Sequence, residues 1–397
     1  MILRTQNNKR KWQRKFIKMI FDYSGDKKKY FTKIALENPN LLNEKNEKLP
    51  KYLFKYYPPT SENILDIKNQ RLWLSHPKSF NDPFDCNIGY DKEKFEKDML
   101  LRFISMNRCV EEQNKLNSFT LEESWKIEDS HLGFGSYLSR REYFSDVKEL
   151  ILKSKSKELQ ETTYDYLKKK ETELDLKISK LRDIDIRVAC FSEFDKYDEF
   201  FKQVVMWSHY AENHKGFCVE YDLEFLKNDI QFSLTDYEFY SEKGKYLKER
   251  NEVVIKTGLF PIEYTCNRIN IPVTKLNKID VDISGKINYN NIIDELIYKT
   301  FIVKSANWSY EKEWRLIVND KICDFYDNKI PFPYIKTIYL GCKAEKGLID
   351  TMMAIGEEIG KEVILLKMDS QKFILERSST YHYKYMNEMK QQKNPFN

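Results

Sequence analysis

A chain of 397 residues, 41% apolar and carrying 26 Tyr and 25 Phe, has the length for two to three domains at roughly 150 residues each and the side chains to pack them, which excludes a peptide-sized module and a mainly disordered chain. Charge is high but nearly balanced, 67 Lys and Arg against 62 Asp and Glu. Only 12 Gly occur, in neither a dinucleotide fingerprint nor a phosphate loop, and the seven Cys are widely spread and never spaced C-x-x-C, so Rossmann, P-loop, disulfide-framework and zinc-ribbon readings are disfavoured.

The positive charge is local. Met1 to Lys33 holds eleven Lys or Arg and two Asp, so this start is basic while the remainder is slightly acidic. Lys9, Arg10, Lys11, Arg14, Lys15 and Lys18 alternate with Trp12, Phe16, Ile17 and Ile20, a pattern that suits nucleic acid, an anionic membrane face or an acidic partner, or else a solvated helix packed on the body. No apolar run approaches the ~18 residues of a membrane helix, and a soluble, cytoplasmic protein is expected. A polar linker with Pro39 and Pro50 closes this first region at residues 1–48.

A β-α-β opening follows. KYLFKYYPPT reads as a strand, TSENILDIKNQ as a helix capped by Thr60 or Ser61, and RLWLSHP as a strand stopped by Pro77. Residues 92–183 are charged and Leu-punctuated, with Leu152, Leu159 and Tyr166, then Leu167, Leu174 and Leu181, at seven-residue spacing; an inserted helical hairpin or coiled-coil seam is expected there, available to a protein partner. Beyond it come a strand at IRVACFSEF, a helix at EFFKQVVMWSHYAEN with Gly216 as its C-cap, and a strand at GFCVEYD. IIDELIYKTFIVKS reads as helix, EWRLIVND and IKTIYLGC as strands, IDTMMAIGEEIG as helix and VILLK as the last strand. The whole is α+β: small mixed or antiparallel sheets forming a cleft, with flanking helices, a core of residues 49–91 and 184–370, and a tail from 371 to 397.

Three polar-aromatic groupings are candidates for chemistry. LWLSHPKSFNDPFD places Trp73, Ser75 and His76 before a Pro-stiffened turn bearing Asn81, Asp82 and Asp85, with Phe84 beside them, able to orient amide or hydroxyl groups of a ligand or simply to bond its own turn. MWSHYAENHKGFCVEYD sets Trp207 and Tyr210 three apart on one helix face, suited to stacking, with His209 beside them; His209 and His214 lack the spacing of a zinc pair, and no metal is expected. NWSYEKEWRLIVND, read as strand, puts Glu311, Glu313 and Arg315 on one face and Trp314 and Leu316 on the other. On a solvated face that trio is a paired rim; in a cleft, Glu313 is the carboxylate to stabilise a sugar-like cation, with Arg315 holding it ionised.

These motifs, in the order KY, LWLS, FNDPFD, CFSE, MWSHY, G-x-x-x-EYD and EKEWRL, resemble bacterial domain-of-unknown-function family 2971 over roughly residues 49–366. The succession of an early strand residue, a β-α-β unit, a polar turn and a late glutamate at the head of a strand is more weakly similar to the ADP-ribosyltransferase superfamily. That resemblance implies an NAD-consuming transferase, a toxin or antiphage-defence effector acting on nucleic acid or protein, with NAD as substrate. Its catalytic positions fall here on Tyr56 or Lys55, on Ser75 or Tyr210, and on Glu313, with LSHP standing where one branch carries Ser-Thr-Ser. Two other readings remain open: a non-catalytic sensing module using the same cleft, and a metal-dependent nuclease drawing on Asp82, Asp85, Glu311 and Glu313.

Overall fold

A computed structural model describes Trp12, Lys45, residues 47–111, 157–181, 186–194, 197–227, 247–272, 275, 280–281, 287–288, 296–297, 299–319 and 327–378. The basic residues Lys9 to Lys18 and most of the tail lie outside them. Two compact units are distinguished: Met1–Cys86, Ile184–Asn267 and Tyr298–Asn397 form one, Asn87–Asp183 and Arg268–Ile297 the other.

The first unit opens with β1 (Tyr52–Tyr57), α1 (Ser61–Lys68) and β2 (Arg71–Trp73), then a 3-10 turn at Pro77–Ser79. Thr60 caps α1, its side chain accepting from the Asn63 amide. Within the second unit the chain forms β3 (Gly89–Tyr90), α2 (Lys92–Glu111) and α3 (Lys157–Leu181). Phe95, Met99, Leu100 and Phe103 on α2 and Leu174, Ile178 and Leu181 on α3 are buried, and Phe103 meets Tyr166 at 5.1 Å, so the described part of the apolar stripe is spent on helix packing, while Leu152 lies outside the described residues.

Back in the first unit come β4 (Ile186–Ser192), α4 (Tyr197–Phe201), α5 (Val204–Tyr210), β5 (Phe217–Asp222), α6 (Leu247–Gly258), β6 (Leu259–Pro261) and β7 (Glu263–Thr265). The second unit adds β8 (Asn270–Ile271), β9 (Asp280–Val281) and β10 (Ile287–Asn288). The first resumes with β11 (Val303–Ser305), a 3-10 turn at Ala306–Glu311, β12 (Glu313–Asn319), β13 (Lys329–Pro331), β14 (Ile335–Leu340), α7 (Lys346–Ile359), β15 (Glu362–Met368) and β16 (Leu375–Arg377).

The class is α+β, as expected: eight strands of the first unit form one sheet, ordered β16-β15-β14-β5-β1-β4-β12-β6, and its remaining strands form the two-stranded ladders β2-β13 and β7-β11. Only β14 and β15 run parallel within it, joined by the crossover helix α7. Both faces are buried, and strict alternation sorts the side chains between them. Leu53, Tyr57, Val219, Tyr221, Trp314, Leu316 and Ile338 build the larger cluster, onto which Trp12 also packs. Phe54, Tyr56, Cys218, Tyr339 and Leu366 point the other way, into a second cluster with Phe200 and Trp207.

Several local expectations are corrected. β2 does not join β1 but pairs with β13 in a two-stranded ladder. The helix expected at EFFKQVVMWSHYAEN breaks at Lys202 and Gln203 into α4 and α5. The end of IIDELIYKTFIVKS turns into β11, which pairs with β7. VILLK is not the last strand, since β16 adds to the sheet beyond it. Gly216 is no left-handed cap: the left-handed residues are Glu212, Asn213 and His214, and Gly216 is required because a Cβ there would stand 2.1 Å from the Tyr57 carbonyl oxygen.

Among the described residues no helix is long and apolar enough to cross a membrane, and no group of three or more His, Cys, Asp or Glu is placed to hold a metal ion.

Candidate functional site

β1 and β4 are neighbours in the sheet, yet they share a single register pair, Phe54 with Ser192. Past that pair the strands part. Ser75 takes the vacated place on β4, exchanging both backbone hydrogen bonds with Val188 at 2.8 and 2.9 Å. A pocket of about 590 Å3 opens at the parting, lined by Lys55, Tyr56 and Pro58 from β1 and its end, Val188 and Cys190 from β4, Ser75 and Asn81, His209 and Tyr210 from α5, and Lys304, Glu311, Glu313 and Asp85. The size lies within the usual range for small-molecule sites.

Its polar wall is a buried ion cluster. Lys304 on β11 donates to Glu311 Oε2 at 2.6 Å and to Glu313 Oε2 at 3.0 Å, with Asp85 Oδ2 at 3.5 Å. Arg315, fully buried, donates from Nε to Glu313 Oε1 at 2.5 Å and from Nη2 to Asp85 Oδ2 at 2.7 Å, while Nη1 meets the Phe301 carbonyl and the Cys86 sulfur, each at 3.1 Å. The Tyr210 hydroxyl donates to Glu311 Oε1 at 2.5 Å. Glu313 and Arg315 share a face of β12 as strand period dictates, whereas Glu311 belongs to the preceding 3-10 turn. The left-handed Lys312, φ 46°, joins turn to strand, so both glutamates face Lys304 while Lys312 itself pairs with Glu199.

Counting charge explains the protonation. Three carboxylates (Asp85, Glu311, Glu313) face two cations, so one carboxyl can hold a proton at little electrostatic cost. Burial works against the charge of Glu313, yet Arg315 and Lys304 hold it well below the ordinary carboxylate value. Glu311, with the weaker set of cations, is pushed up to about 7 by burial and by the Glu313 charge. Lys304 is desolvated too, but the two glutamates raise it above the ordinary lysine value. Burial and the adjacent Glu311 likewise keep the Tyr210 phenol protonated. A carboxyl pair split in this way is the pattern of an acid–base site.

Of the residues singled out in the sequence, Lys55, Tyr56, Ser75, Asn81, His209, Tyr210, Glu311 and Glu313 line this pocket, and Arg315 stands directly behind Glu313. The others are placed elsewhere. Trp207 is 0% exposed and packs edge-on to Tyr56 at 5.3 Å, so it braces the wall and has no free face for stacking. Trp73 and Phe84 are exposed, 42% and 61%, and do not line the pocket. His76 caps the Pro77–Ser79 turn, its Nδ1 accepting from the Lys78 amide, and Asp82 accepts from the Phe84 amide at 2.8 Å, an Asx turn. Asp85, singled out in the sequence among the turn's acids, also lines the pocket, whereas Lys304, Cys190 and Tyr264, which accepts from the Glu313 amide at 2.9 Å, were not selected and carried no local signal.

Beneath α5, His214 stacks on Trp207 and shares a 3.2 Å hydrogen bond with the Ser208 hydroxyl, while its Nδ1 is buried without a partner. Burial, with Lys343 nearby, lowers its pKa from the ordinary 6.5. The folded state therefore binds this proton less well than the unfolded one, so the contribution to stability is complete above about 6.5 and is lost as pH falls towards the folded value. Urea midpoints between pH 7.5 and 5 are expected to fall more steeply for the natural chain than for His214→Gln; equal slopes would contradict this.

No curated protein and no solved structure matches the chain. Residues 206–316, from the first residue of MWSHY to the last of EKEWRL, match the model of the family described as Protein of unknown function (DUF2971), the family to which these motifs pointed.

Proposed function

We propose that this pocket cleaves the nicotinamide–ribose bond of NAD and transfers the ADP-ribosyl group to an acceptor. The reading is supported by one observation above the rest: Tyr56, Ser75, Tyr210 and Glu313, scattered over more than half the chain, border a single pocket whose two glutamates differ in protonation. As the glycosidic bond breaks, its electron pair leaves with nicotinamide and positive charge develops on the ribose. The ionised Glu313, fixed by Arg315 and Lys304 before any ligand arrives, is the group to stabilise that charge. Glu311, titrating near neutrality, accepts the proton of the incoming nucleophile. The Tyr210 hydroxyl orients it. Of the carboxylates that a metal-dependent nuclease would draw on, Asp85, Glu311 and Glu313 instead pair with Lys304 or Arg315, and Asp82 accepts from the Phe84 amide.

Incubation with NAD is expected to release nicotinamide, with kcat/KM rising through an inflection near pH 7 as Glu311 ionises. Glu311→Gln should lower kcat/KM by about 100-fold or more and remove the inflection. NAD left intact by the natural chain in the presence of both protein and nucleic-acid acceptors would overturn the reading and favour a sensing module.

A further inference from the structure

Two lysines border the same pocket in opposite electrostatic settings. Lys304 is ringed by carboxylates. Lys55, projecting from β1 where the strands part, has only a weak 3.4 Å hydrogen bond to the Cys190 carbonyl, with its ammonium 5.3 Å from the Tyr57 ring and 6.0 Å from that of Phe191. Among the described residues no carboxylate comes within ion-pair distance of it. Lys55 is half-buried on the pocket wall beside two aromatic rings, so its amine faces the pocket partly desolvated and without a paired carboxylate.

We propose that Lys55 is a covalent nucleophile that captures the carbonyl carbon of an aldehyde- or ketone-bearing ligand as an imine. The amine lone pair forms the carbon–nitrogen bond, the carbonyl oxygen takes up the proton that nitrogen sheds, and loss of water from the carbinolamine leaves the imine. No oxidant or reductant is consumed. The step requires a neutral amine, and burial drives Lys55 in that direction, lowering its pKa against the smaller opposing pull of Cys190 and Glu313. The proposal stands on the surroundings of Lys55 alone and does not depend on NAD being a substrate.

Glycolaldehyde with cyanoborohydride tests it on the full chain. Hydride reduces the imine to a stable secondary amine, and site-resolved mass spectrometry reads each lysine separately. At pH 7 Lys55 is expected to be alkylated severalfold faster than the exposed Lys346, and Lys304 not at all, since burial lowers the pKa of Lys55 while the carboxylates around Lys304 raise its own. Two lysines on one pocket control for access. Alkylation of Lys304 at a rate equal to that of Lys55, or of Lys346 ahead of Lys55, would overturn the proposal, and neither outcome bears on nicotinamide release. A Lys55→Met variant should lose the fast-labelled site while retaining the urea midpoint of the natural chain or exceeding it; a much lower midpoint would show that the lysine is structural and contradict the inference.

Discussion

Arg315→Met is expected to destabilise the first unit by about 3–5 kcal/mol, read as a lower urea midpoint with an unchanged slope. The arginine is fully buried, and its removal leaves Asp85, Glu311 and Glu313 facing Lys304 alone. Two of the three carboxyls would then have to take up protons at neutral pH. Removing Glu313 together with Arg315 should recover most of the loss. The double variant Glu313→Leu/Arg315→Met leaves two carboxyls and one cation, the same excess of one acid as the natural cluster, with apolar side chains where the ion pair stood. If the single and double variants were equally destabilised, the charge balance would not be what holds this wall.

Gly216→Ala should cost about 3 kcal/mol, the upper end of the range for overpacking. Its Cβ would lie 2.1 Å from the Tyr57 carbonyl oxygen and 3.2 Å from backbone atoms of Ala211, none of which is the tip of a flexible side chain. To make room, β5 would have to move away from the end of β1 that borders the pocket. Loss of stability and, on the proposed function, loss of nicotinamide release are expected together, although residue 216 does not line the pocket. An alanine variant with the natural urea midpoint would show that β5 and β1 tolerate displacement here.

How much of this could be read in the sequence depended on how local the signal was. The β1–α1–β2 opening follows from Pro, the Thr60 cap and short apolar runs, all decided within a few residues. Strand period correctly paired Glu313 with Arg315 and set Trp314 and Leu316 on the opposite face. It placed Glu311 in the strand, whereas that residue ends a 3-10 turn closed by a left-handed Lys312 that no pattern announces; the two glutamates nevertheless meet on Lys304, on the same side as expected. The single-residue pairing of β1 with β4, which creates the pocket, is a relation between strands more than a hundred residues apart and leaves no mark in either. Lys304 was missed for the same reason: in FIVKS, read as the end of a helix, it is an ordinary lysine, and only the fold brings carboxylates from two other segments around it. Trp207 misled in the other direction, since large aromatics at helical spacing are core residues as readily as stacking platforms.

The account turns on a spare proton held by Glu311. Carbon-13 NMR titration of the chain with labelled glutamate carboxyls measures it directly, Glu311→Gln supplying the assignment. A resonance titrating near pH 7, absent from Glu311→Gln and moved to lower pH in Glu313→Gln, is the result expected from two buried glutamates sharing two cations with Asp85. Titration of Glu311 near the ordinary 4.5, unmoved by Glu313→Gln, would contradict it.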